Sequence, residues 1–280
     1  MTAATPQEQV AQWAGMFDRL SSSYDQTGVP FFSVIADGLV ARLAPVRGER
    51  ALDLGAGRGA ATFPLAEAVG PAGHVDAIDI APGMVEATRT AVRERGLSQV
   101  DVMIGDASEP ALADGAYDLV ASSQVVFFLP EPERSLALWA ALLRPGGRLG
   151  ISTFRPWRGV WRSIEEVFRD YDDDPGRPAA TEMPEVYATD EGVAGLLSGV
   201  GLHDVRTEIA TYVVPFADTE EWRRWSLGTA MRGLWMRTPE ESHPEILARV
   251  GELLDQSRGP DGRVGLEVDI RYTLGRASAG

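Results

Sequence analysis

Apolar positions along the 280-residue chain change their period several times. Between residues 7 and 20, Val10, Trp13, Ala14, Phe17 and Leu20 recur at helical spacing, which predicts a first helix. A polar break over Ser21–Gly28 follows, and the apolar stretch from Phe31 to Leu43 predicts a second helix before Pro45. Short apolar runs then alternate with amphipathic stretches. Strands are expected at 51–54, 73–80, 100–104, 117–124 and within 142–154, where Gly146 and Gly147 are expected to stop the preceding helix. Strand–helix alternation predicts a parallel sheet covered by helices on both faces. Farther on, Trp157, Val160, Trp161, Ile164, Val167 and Phe168 share one helical face. Helices over 191–197, 219–236 and 239–256 and strands over 201–214 and 264–274 complete the pattern. The chain shows neither an internal repeat nor a long linker, so 1–280 reads as one domain. Its parts are a helical cover (1–45), a core (46–155) and inserted helices (156–190 and 216–260).

The most informative stretch is Ala51-Leu-Asp-Leu-Gly-Ala-Gly-Arg-Gly-Ala60. A strand that turns through three glycines into a helix brings backbone amides against a nucleotide-like ligand. Such a turn also closes ligand-free strand–helix units. Asp53, two residues before the first glycine, sharpens the reading. A carboxylate there would repel a dinucleotide pyrophosphate and suits a ligand carrying an amino group instead. Asp79 ends the second strand, about 20 residues beyond the turn, where an acid can accept two hydrogen bonds from a ribose diol. The alternative is a helix-capping acid, but its position at the end of an alternating strand favours the ligand role.

Composition narrows the class. The net charge of −15 argues against nucleic-acid or anionic-membrane binding, since both need a basic face. There is no cysteine, which excludes disulfides and thiolate chemistry, and no metal centre is expected. All 26 basic residues are arginine. The N-terminus lacks the basic and apolar regions of a signal peptide, and no apolar run could span a bilayer. A cytoplasmic bacterial protein is expected, with a homo-oligomer left open.

The segment Asp53-Leu-Gly-Ala-Gly-Arg-Gly59 resembles the first motif of the class I S-adenosylmethionine-dependent methyltransferases. Gly105-Asp106-Ala107 after the third strand, Tyr117-Asp-Leu-Val120 in the fourth and Arg144-Pro-Gly-Gly147 before the fifth are similar to its later motifs, in the same order. Met16–Asp25 resembles the entry segment of the ubiquinone/menaquinone-type enzymes. The resemblance implies an α/β, Rossmann-like, seven-stranded, mostly parallel sheet with helices on both faces and an inserted helical lid. Its last strand would run antiparallel. It implies S-adenosyl-L-methionine as cofactor, bordered by Tyr24, Asp53, Gly55, Ala56, Gly57, Asp79, Ile80, Met84, Asp106, Ala107 and Ser122. Asp79 would hold the ribose and Asp106 the adenine.

The acceptor side is less legible. Five of the seven tryptophans fall in the inserted helices, where a stripe at helical spacing is either core or a substrate lid. The lid reading places Trp157, Trp161 and Trp222 over a pocket floored by Gln124 and Phe128, suited to a planar or apolar small molecule. Among His74, His203 and His243, only His243 is a candidate general base, and it could equally start a helix. The expected activity is O- or C-methylation of an aromatic or polyketide-like metabolite. Alternatives are a protein that uses the bound donor for cyclisation or decarboxylation, and a non-catalytic metabolite binder.

Overall fold

The computed structural model describes residues 5–174, 184–229 and 231–279. Seven strands form one sheet: β1 (Arg50–Leu54), β2 (His74–Asp79), β3 (Val100–Ile104), β4 (Tyr117–Ser123), β5 (Leu143–Phe154), β6 (His203–Phe216) and β7 (Val264–Arg276). Their order is β3-β2-β1-β4-β5-β7-β6. β1 to β5 pair in parallel, and β7 runs antiparallel between β5 and β6. The strand order reverses between β1 and β4, so a crevice opens beyond the carboxyl ends of these strands.

Successive residues of the central strands feed opposite cores, as a doubly covered sheet requires. Ala51 and Leu119 enter a core with the helices α2 (Phe32–Leu43), α3 (Thr62–Val69) and α4 (Pro82–Glu94). Leu52 and Val120 enter the other, with α5 (Pro132–Ala141), α7 (Glu185–Ala188) and α8 (Asp190–Gly199). The first helix, α1 (Pro6–Leu20), starts on a reciprocal Thr5–Glu8 capping box. It is fastened to the core where Asp18 Oδ1 accepts the Gly83 amide at 2.7 Å, at the start of α4.

Two boundaries differ from the sequence expectation. The helix before β5 ends at Ala141, and Leu143 already pairs with Tyr117. The Pro-Gly-Gly run is an irregularity inside the strand, with the register resuming at Leu119–Arg148. Gly146 takes φ +77 there, a left-handed value that suits glycine. The long helix expected over 219–236 is two, α9 (Thr219–Leu227) and α10 (Arg232–Trp235), separated after Gly228.

The inserted helices α6 (Val160–Arg169), α9, α10 and α11 (His243–Asp255) share the α2-side core. Trp222 is fully buried, with ring centroids 6.5 Å from Phe168 and 6.1 Å from Trp235. Trp161 is buried against Trp157 and Trp225 at 5.4 and 5.7 Å. Truncating a fully buried tryptophan removes both transfer energy and packing, so Trp222→Ala is expected to cost about 3–5 kcal/mol of stability. Equilibrium denaturant unfolding of the two proteins checks this value; a loss under 1 kcal/mol (~) would deny the side chain its core role.

Candidate functional site

The glycine turn is built by hydrogen bonds that tie its own amides to the end of β2. Gly55 and Ala56 both donate to the Ile78 carbonyl at 2.9 Å, pinning the turn to the end of β2. A side chain at Gly55 would meet Val125 Cγ2 at 2.4 Å, and the residue has φ +74, so both space and backbone demand glycine. At Gly57, by contrast, an added Cβ would meet no atom within 4 Å and would project into open space.

Asp79 joins this turn to the next helix. One carboxylate oxygen accepts the Gly57 amide at 2.8 Å and the other accepts the Ala81 amide at 2.9 Å. Burial pushes its pKa up, while these backbone amides pull it down. Asp53 is buried and accepts the Thr62 hydroxyl at 2.6 Å. Burial raises it to about 7, against the Thr62 bond that lowers it, with the nearby Asp79 charge adding to the rise. Asp106 accepts the Ser108 amide at 2.7 Å. Three acids thus stand at the ends of β1, β2 and β3.

These groups line a cavity of about 950 Å³. Of the residues singled out in the sequence, Tyr24, Asp53, Gly55, Ala56, Gly57, Asp79, Ile80, Met84, Asp106, Ala107, Gln124 and Phe128 border it. Ser122 does not: strand alternation turns its hydroxyl away, onto the Leu54 carbonyl at 2.9 Å, and Ser123 takes the place at the cavity. Trp157, Trp161 and Trp222 do not border it either, because their helices close on one another and on the sheet. His243 begins α11, with Nε2 3.3 Å from the Thr238 carbonyl and its ring edge-on to Trp235. It too is outside the cavity lining.

The aromatic wall comes from the opposite end of the chain. Trp13 and Phe17 of α1 pack on Phe128 with centroids 4.8 and 5.3 Å apart, and Tyr24 stacks on Phe32 at 4.9 Å. All five rings border the cavity. Asp25, also on its wall, has φ +54. Gln124, just past β4, has φ +62 and is buried. Its Nε2 donates to Ser152 Oγ at 3.3 Å, while its buried Oε1 has no partner. Trp13 and Phe32 were visible only as helical apolar positions; Phe17 and Asp25 lie in the Met16–Asp25 segment singled out by its resemblance, and Arg58 had no signal beyond adjacency to the glycines.

Residues 51–147 match a family model described as a methyltransferase domain. The aklanonic acid methyltransferase of Streptomyces sp. (strain C5) is 47% identical over 137 residues, 49% of this chain and 62% of that protein. The nocamycin O-methyltransferase of Saccharothrix syringae is 46% identical, covering 49% of each chain. These two matches therefore span about half to three-fifths of the relatives' own length. A trans-aconitate 2-methyltransferase of Mycobacterium sp. (strain KMS) is 30% identical over 237 residues, which cover 83% of this chain and 87% of that one. The chain belongs to the class I S-adenosylmethionine-dependent methyltransferases.

The sheet order and the antiparallel β7 agree with that family's expected fold. The residues present also fit its cofactor, S-adenosyl-L-methionine: an open cradle at Gly57, strand-end acids and an apolar roof suit a nucleoside joined to an amino acid. Among the described residues, no helix is long and apolar enough to cross a membrane.

The raised pKa of Asp53 makes its ionisation unfavourable to the fold. The stability that comes with the protonated form is complete below the ordinary carboxylate range and is lost as pH rises through about 7. Asp53→Asn is expected to gain stability relative to wild type across that rise, by up to a few kcal/mol (~). Parallel urea titrations at pH 5 and pH 8 measure the difference; a gap that does not widen at pH 8 would contradict it.

Proposed function

We propose that this protein transfers a methyl group from S-adenosylmethionine to oxygen or carbon of a small, planar, largely apolar acceptor. The observation that carries the reading is the two-sided cavity: carboxylates at three strand ends below, and Trp13, Phe17, Tyr24, Phe32 and Phe128 above. In this reading Asp79, preset by two backbone amides, accepts the ribose hydroxyls, and Asp106 the adenine amino group. Asp53 faces the ammonium of the methionine part. Gly57 gives the ligand room, and Met84 and Ile80 flank the base.

When bound, the donor supplies a methyl group already activated on a sulfonium. The protein's task is then to hold the acceptor in line with it and keep water away. The aromatic roof supplies flat, dry contact area for a ring system. Ser123 and Gln124 put polar side chains on the cavity wall at the end of β4, suited to orient an acceptor hydroxyl. Relatives named for aklanonic acid and for nocamycin O-methylation support an oxygen-bearing metabolite of this kind.

The deciding experiment incubates the protein with isotope-labelled S-adenosylmethionine and a panel of hydroxylated aromatic and polyketide acids, followed by mass spectrometry. A gain of one methyl on an acceptor, matched by release of S-adenosylhomocysteine, is the expected result. An acceptor rearranged or decarboxylated without gaining a methyl would overturn it. With an acceptor in hand, Gln124→Met is expected to lower kcat/KM by tenfold or more, about 1.4 kcal/mol. The Kd for S-adenosylmethionine should stay within about twofold, because only the acceptor's hydrogen bond is lost. Asp79→Ala should do the reverse, weakening donor binding by about 1.5–3 kcal/mol in calorimetry.

A further inference from the structure

Asp25 stands apart from the other carboxylates of the cavity. Asp53, Asp79 and Asp106 rise from strand ends and are held by donors of the core: the Thr62 hydroxyl, the Gly57 and Ala81 amides, and the Ser108 amide. Asp25 belongs to the cover, in the loop between α1 and α2, and reaches the same cavity. Its backbone is left-handed, a conformation that aspartate and asparagine tolerate better than most residues. The stacked pair Tyr24–Phe32 flanks it with apolar surface. Its carboxylate accepts the Phe32 amide and lies within the influence of Arg58. That guanidinium is itself tied to the Ser21 carbonyl. Burial outweighs both effects and raises the Asp25 pKa to about 6, so the group is charged at neutral pH with its charge incompletely compensated.

We propose that Asp25 is the counter-charge to the donor's sulfonium, giving the cleft a preference for S-adenosylmethionine over S-adenosylhomocysteine. This rests on the donor-site reading above. The ammonium and carboxylate of the two ligands are the same and cancel in net charge, so they differ by the methyl group and one positive charge on sulfur. When the carbon–sulfur bond breaks, its electron pair stays on sulfur, which becomes a neutral thioether. The acceptor's oxygen or carbon takes the methyl and gives up its proton to solvent. The attraction to Asp25 disappears in that step, while every contact to the adenosine and amino-acid parts remains. In a dry cleft a unit charge several ångströms away is felt strongly. The cover therefore loses one of its holds on the ligand as soon as the ligand is spent, which favours exchange of product for fresh donor.

The test needs no acceptor. Calorimetry at pH 8 compares S-adenosylmethionine, S-adenosylhomocysteine and sinefungin, which carries an ammonium in place of the methyl-sulfonium, on wild type and Asp25→Asn. Asparagine keeps an oxygen for the Phe32 amide and suits the left-handed backbone. The expected result is a fall of about tenfold in the preference for S-adenosylmethionine over S-adenosylhomocysteine. Affinity for S-adenosylhomocysteine should change less than about threefold, and sinefungin should follow S-adenosylmethionine. Equal weakening of all three ligands, or an unchanged preference, would overturn the proposal. Should the asparagine variant fail to fold, Asp25→Gly carries the same comparison on a backbone that also permits φ +54. Wild-type protein that binds none of the three would reject the donor-site reading itself, and this inference with it.

Discussion

The structure turns on the two oxygens of one carboxylate. Asp79 sits at the end of β2 and accepts an amide from the glycine turn after β1 and another from the first turn of α4. Three neighbouring elements are thereby fixed at one point. The Ile78 carbonyl, one residue earlier, takes the Gly55 and Ala56 amides and completes the clamp. On the far side of the turn, Gly57 returns its own carbonyl to Thr88 of α4 at 2.8 Å. The cover attaches to the same assembly, through Asp18 on Gly83 and Arg58 on Ser21. A turn held this way arrives at its ligand already shaped, so binding costs little ordering.

This arrangement places acids where they are poor for the empty fold and useful for a cation. Asp53, Asp79 and Asp25 all have pKa values raised by burial. Hydrogen bonds from Thr62, Gly57, Ala81 and Phe32 recover part of that penalty, yet burial remains the largest effect in each case. Under the proposed donor reading, a ligand with an ammonium and a sulfonium would supply what the protein withholds from itself. The cost to the unliganded protein and the gain on binding come from the same charges. A fold that instead neutralised these acids with arginine would be more stable empty and worse at holding a cationic donor.

The parts legible in the sequence were those whose partners lie close along the chain or are dictated by backbone geometry. Asp53, the glycines and Asp79 fall within one strand–turn–helix–strand unit, and each has a chemical reason to be there. The helical stripes were not decidable in the same way. An apolar face states that it must be covered, and the same spacing serves a lid or a core; Trp161 found Trp157 and Trp225, and Trp222 found Phe168 and Trp235, whereas Trp13 and Phe17 found Phe128 and the cavity. Ser122 and Ser123 show a finer limit. Adjacent residues of a strand face opposite sides, so a shift of one position exchanges a sheet contact for a cavity contact. The glycines of the Pro-Gly-Gly run read as a helix stop, although β-pairing had already begun at Leu143.

The proposed division between a donor side and an acceptor side rests on the same geometry. The family model spans 51–147 and contains Asp53, Asp79, Asp106 and Gln124, all set by the central strands. Trp13, Phe17, Tyr24, Asp25 and Phe32 lie outside it, on elements that reach the cavity only by folding back over it. Besides the Asp18–Gly83 and Arg58–Ser21 bonds, the two sides are joined through rings. Phe128 contacts Phe127, Phe127 contacts Phe154, and Phe154 stacks on Phe31 at 6.0 Å. Phe31 then meets Trp225, which meets Trp161 in the inserted helices. The inserted helices therefore act on the cavity from behind, by fixing where α2 and the end of β5 lie. A change in their packing reaches the aromatic roof through close-packed rings that have little freedom to adjust. The shape of the aromatic roof can thus be altered in the cover or in the inserted layer while the clamp at Asp79 stays as it is.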